Sequence, residues 1–138
     1  MVATAVLIEL HLRRSCPCPA PTFELADASL PAWWNSPRAR ALTHIYAFDP
    51  AFPGNDIGPG HPRAAEPGFD VLGGIARGLN RSPAWRVLIS FQPPRVWAFK
   101  GLRDARLAER VTGMSMRVSC EQKTAFVYVR EAGAVLEA

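Results

Sequence analysis

Two apolar runs constrain this 138-residue chain more than anything else in it: Leu42-Thr-His-Ile-Tyr-Ala-Phe48 and Trp85-Arg-Val-Leu-Ile-Ser-Phe91. Each is short, β-branched or aromatic, and abruptly ended, the first at Asp49-Pro50 and the second at Pro93-Pro94. Such runs suit strands buried on both faces of a parallel sheet. Between them, Phe69 to Leu79 places Val71, Leu72, Ile75 and Leu79 at helical spacing, although Gly73, Gly74 and Gly78 each weaken a helix by roughly 1 kcal/mol. Strand, helix, strand is a crossover unit, which pairs its strands in parallel with right-handed connection.

The remaining segments extend that unit. Lys100 to Val111 reads as a second helix, and Leu30 to Arg40 as a short helix or turn. Met114 to Cys120 and Thr124 to Arg130 read as two strands separated only by Glu121-Gln-Lys123, a connection that only an antiparallel hairpin can use. The expected class is therefore α/β, with a mostly parallel sheet that ends in an antiparallel hairpin. At the other end, Thr22 to Ala26 alternates with period two and reads as a short strand ending at Asp27. Ser15 to Pro21 is a breaker. Met1 to Arg14 fits either an arginine-closed helix, the favoured choice, or a strand with Ile8, Leu10 and Leu12 on one face.

Composition narrows the function classes. Hydrophobic content of 49% and a formal net charge of +4 describe an ordinary soluble globular domain. Of the 16 basic residues all but Lys100 and Lys123 are arginine, yet they are dispersed, so DNA contact is expected only as an adjunct. Cys16, Cys18 and Cys120 lack zinc-site spacing and read as reduced thiols. The first 12 residues lack a basic leader and are too short to span a membrane, which points to an intracellular protein. Ser90 and Ser115 sit in no nucleophile elbow, excluding a serine hydrolase. His44, mid-strand, reads as a hydrogen-bonded core histidine, and Trp33, Trp34, Trp85 and Trp97 as packing residues.

The strand exits carry a resemblance. Ile45-Tyr-Ala-Phe-Asp-Pro-Ala-Phe-Pro53 is similar to the fourth-strand exit of class I S-adenosylmethionine-dependent methyltransferases, nearest the disruptor-of-telomeric-silencing-type histone-lysine enzymes. Phe23-Glu-Leu-Ala-Asp-Ala-Ser29 resembles that family's third strand and following loop, and Val87-Leu-Ile-Ser-Phe-Gln-Pro93 its fifth strand. The likeness spans residues 20 to 130 and implies a partial Rossmann-like domain covering the whole chain, with residues 1 to 20 preceding the family-like region. It implies S-adenosylmethionine as cofactor, contacted by Asp27 beside the adenine, Ala28, Phe48 and Asp49, and a transfer centre at Asp49 and Phe52. The implied partner is a protein substrate of the histone type, with some nucleosomal DNA contact and a nuclear location. Phe48 and Pro50 depart from the family, which carries a polar amide and an aromatic there.

Methyl transfer to an amine is an in-line displacement, for which an enzyme supplies proximity and orientation. The glycine-rich first turn and second-strand acid that would cradle the cofactor have no counterpart before Thr22, and Gly73 to Gly78 lacks the required spacing. The sequence thus predicts a truncated methyltransferase, weak or inactive alone. A non-enzymatic protein- or nucleosome-interaction module on the same half-sheet is the alternative.

Overall fold

The computed structural model describes residues 25–50, 52, 54, 56–116 and 119–137. Two one-turn helices, α1 (Pro31–Trp34) and α2 (Pro37–Arg40), precede strand β1 (His44–Ala47). Helix α3 (Val71–Arg81) leads to β2 (Val87–Ser90), α4 (Pro94–Phe99) and the long strands β3 (Ala105–Met116) and β4 (Ser119–Arg130). The sheet is four-stranded, open and mixed, in the order β1-β2-β4-β3. Only β1 and β2 run parallel, joined by the crossover through α3; β4 is antiparallel to both β2 and β3.

The sheet is therefore not mostly parallel, and the reason lies in residues 100 to 111. These form no helix. Pro94 opens α4 earlier, and Gly101, at φ 78°, closes it: its amide donates to Ala98 and that of Leu102 reaches back to Trp97, at 3.0 Å each. Strand β3 starts at Ala105 instead. The hairpin reverses between Met116 and Ser119, so Glu121 to Lys123 lie inside β4 rather than in its turn.

One face of the sheet presents Leu88, Ser90, Ala105 and Tyr128, all fully buried, and Ala47 beside them. Against this face pack Leu72, Ile75 and Leu79 of α3 and Trp97 of α4, joined by Trp34 and Trp85. The tryptophans Trp34, Trp85 and Trp97 are thus core residues, with Trp33 packed at the margin. Two glycines of α3 have a packing purpose: a Cβ at Gly78 would fall inside the Trp34 ring and one at Gly74 on the backbone of Ser29, so α1 rides directly on the helix. Asp70 caps α3, accepting from the amide of Gly73 at 2.9 Å.

Strand β1 is the edge strand of the sheet among the described residues, not one buried on both faces. Tyr46 and Phe48 are 59% and 47% exposed, and His44 is also exposed, its Nδ1 lying 3.0 Å from the Thr43 hydroxyl rather than in a core. Leu25 and Ala26 belong to no strand; the rest of the Thr22 to Ala26 segment, the Ser15 to Pro21 breaker and the Met1 to Arg14 helix lie outside the described residues.

Candidate functional site

In open α/β sheets, ligands gather at the carboxyl ends of parallel strands. Here that place is the joint exit of β1 and β2, where Ala47 pairs with Ser90 and both chains turn away one or two residues later. A buried polar knot ties the two exits together. Asp49 is fully buried. One carboxylate oxygen accepts from the Ser90 hydroxyl, the other from the amide of Phe91 at 2.8 Å, and its backbone carbonyl accepts from the side-chain amide of Gln92 at 2.8 Å.

Ser90 completes the arrangement. Its oxygen accepts from the amide of Gln92 and from the indole of Trp97, both at 3.0 Å, which occupies its two lone pairs and aims its single proton at Asp49. Tyr128, from β4, donates its hydroxyl to the Gln92 carbonyl at 2.6 Å. Burial pushes the Asp49 carboxyl above its usual range, although the Ser90 and Phe91 donors pull the other way. Burial likewise raises the Tyr128 phenol, with the charge of Asp49 adding to it, so that Tyr128 stays a hydrogen-bond donor at any working pH.

Around this knot the surface is aromatic and concave. Phe91 receives the ring of Phe48 edge-on at 5.4 Å between centroids and that of Tyr46 at 6.2 Å. A shallow cleft of about 280 Å³ opens beside it, lined by Pro50, Phe91, Gln92, Lys123, Thr124 and Phe126. Phe52 does not reach this rim; it is half-buried against the hydrophobic core.

The residues expected at a cofactor site divide accordingly. Phe48 and Asp49 sit together at the strand exit, but only Phe48 faces outward. Asp27 and Ala28 belong to a separate turn. One Asp27 oxygen accepts from both the amide and the hydroxyl of Ser29, at 2.8 and 2.6 Å, bonds that hold its carboxyl below the usual range. Ser29 in turn accepts from the amide of Gly68 at 2.8 Å, and the Ala28 carbonyl accepts from the Trp34 indole at 2.9 Å. Asp27 thus fastens the α1 entry to the loop before α3, which is ordinary turn chemistry.

The sequence did not reveal that Ser90 and Gln92 bind Asp49, nor that Trp97 and Tyr128 hold those two residues in turn. One signal was present: Ser90 is the lone polar residue in Val87-Leu-Ile-Ser90, and a buried hydroxyl at a strand end demands a partner. Among the described residues no cluster of three or more His, Cys, Asp or Glu side chains could hold a metal ion, and no helix is long and apolar enough to cross a membrane. No family model matches the chain, and neither a curated protein nor a solved structure matches it.

Proposed function

We propose that this chain supplies the methyl-acceptor side of an S-adenosylmethionine-dependent methyltransferase site of the class I, Rossmann-like type, acting on an amine of a protein substrate. The observation that carries the reading is the knot at the β1 and β2 exits. An Asp-Pro turn after one parallel strand is locked to the Ser-Phe-Gln turn after the next, at the place where such sheets bind ligands, and β4 returns antiparallel beside them. Asp49 is a positioning residue in this scheme: with both oxygens engaged it fixes the direction in which Phe48 and Pro50 leave the sheet. Phe48 offers an exposed ring for an adenine or for the apolar stem of a lysine.

The fit to the cofactor is one-sided. Asp27 spends an oxygen on Ser29, and the chain has no glycine-rich turn for the ribose and methionine end. Weak cofactor binding and little or no turnover by this chain alone follow. The site is tested by titrating isotopically labelled protein with S-adenosylhomocysteine. Amide shifts centred on Phe48, Asp49 and Gln92, at millimolar ligand and lost in Phe48→Ala, are the expected result. Shifts elsewhere only, or none, overturn it.

One observation favours the second reading, a non-enzymatic protein-interaction module. Among the described strands β1 stands last in the sheet, as a strand-docking edge does, and the exposed aromatic residues Tyr46 and Phe48 lie on it and just past its end, packed edge-on against Phe91. Binding of an extended peptide to that edge without any response to the cofactor analogue would select it.

A further inference from the structure

The fold gathers three arginines that the sequence scatters. Arg95 lies in the first turn of α4, while Arg106 and Arg110 lie on β3, and all three line one cleft of about 620 Å³. A bulge in β3 makes this possible. Leu107 pairs with Tyr128 and Arg110 with Phe126, two positions apart on β4, because the register slips between Leu107 and Glu109. Without the slip Arg110 would point to the opposite face from Leu107. With it, the guanidinium shares the Leu107 side, 5.9 Å from the Phe126 ring.

The remaining walls are apolar. Leu107 and the buried Leu136 form the floor, Pro93 and Pro94 one side, and Val135 stands 85% exposed at the rim. Glu137 is the only acid in the lining. Arg106 is half-exposed and bridged to Glu131, but Arg95 has no ion-pair partner among the described residues. A cleft within the ~300–1,000 Å³ range of ligand sites, with an apolar floor and uncompensated guanidinium groups above it, suits an amphipathic anion.

We infer that this cleft docks an acidic peptide segment, an apolar side chain resting on Leu107 and Leu136 while flanking carboxylates meet Arg95 and Arg110. Nucleic acid fits less well, because no aromatic ring in the lining offers a stacking platform and the floor is apolar. A lysine- or arginine-rich tail is repelled. The cleft contains neither Phe48 nor Asp49, so it stands or fails independently of the cofactor reading.

The test is fluorescence anisotropy on the full chain with a labelled hexapeptide of Asp, Glu and Leu, its Asn/Gln counterpart, and a labelled single-stranded oligonucleotide. The acidic peptide binds about tenfold more tightly than the neutral one, the preference shrinking as salt shortens the reach of the charges. Arg95→Ala and Arg110→Ala each weaken it several-fold with an unchanged circular dichroism spectrum, whereas Arg81→Ala on α3 leaves it as it was. Equal binding of the neutral peptide, indifference to both cleft variants, or displacement of the acidic peptide by the oligonucleotide at lower concentration overturns the inference.

Discussion

Two aspartates of this protein are fully buried, and the fold treats them in opposite ways. Asp49, at the end of β1, is held by a hydroxyl, an amide and the neighbouring strand exit, with no cation among its hydrogen-bonding partners. Asp70, at the start of α3, is held by an ammonium: Lys100 lies 2.8 Å away, equally buried, and Arg77 approaches the other carboxylate oxygen at 3.8 Å. Lys100 also donates to the carbonyls of Ile57, at 2.6 Å, and Gly54, so the pair ties Gly54 and Ile57 to both α3 and α4. Dipoles suffice where a strand exit must be aimed; a full opposite charge is used where three segments must be drawn together. The charged knot is also the more brittle, since removal of one member leaves a bare ion in the interior.

Replacement of Lys100 sets that contrast at its largest. Lys100→Met strands Asp70 and two loop carbonyls, and is expected to cost about 3–5 kcal/mol in urea unfolding followed by tryptophan fluorescence. Adding Asp70→Asn, which removes the charge but keeps a cap for Gly73, recovers part of the loss. If Lys100→Met costs no more than a change at Asp49, the distinction between the two knots is broken.

Asp49→Asn comes next, at about 1–3 kcal/mol near neutrality, because an amide must turn its NH₂ toward either the Ser90 hydroxyl or the Phe91 amide, both of which are donors. The pH dependence sharpens this. The Asp49 carboxyl lies above its ordinary 3.8, so its contribution to stability is fully present below that value and is lost as pH rises through the raised folded-state value. The gap between wild type and Asp49→Asn therefore narrows as pH rises, and a carboxyl carbon titration places the midpoint above that of an exposed aspartate. A midpoint below 3.8 would reverse the sign.

The smallest effect belongs to the exposed pair Arg106 and Glu131, each side chain 53% exposed. Glu131→Gln is expected to change stability by less than about 1 kcal/mol and by nothing measurable in molar salt. A larger loss would mean that a solvated ion pair in this protein behaves like the Asp70–Lys100 pair.

The sequence revealed those parts of the fold whose cause is local. Leu72, Ile75 and Leu79 fall at helical spacing, and α3 forms there despite its glycines because Trp34 and Ser29 occupy the space that side chains would have taken. The two parallel strands were legible from their apolar runs and proline stops. Residues 100 to 111 were not, because the slip between Leu107 and Glu109 breaks the alternation that identifies a strand, leaving an irregular pattern that imitates a helix. The site divided similarly. Asp49 stood out beside Pro50, but its partners lie 41 to 43 residues away, and the Lys100–Asp70 pair spans 30, separations at which no spacing rule operates. Only the oddity of a polar Ser90 in an apolar run hinted at the first knot, and the second had no such local sign.

The unequal strand lengths have a consequence in time. Strand β4 runs for 12 residues but pairs with β2 over Phe126–Val129; from Ser119 to Ala125 its one strand partner among the described residues is β3. A two-stranded ribbon is marginal by itself, whereas a central strand opens only with the whole domain. Amide hydrogens along this one strand should therefore exchange with solvent on two schedules. Those around Tyr128 wait for global unfolding, while those near Gln122 and Lys123 are released by fraying of the hairpin, orders of magnitude sooner.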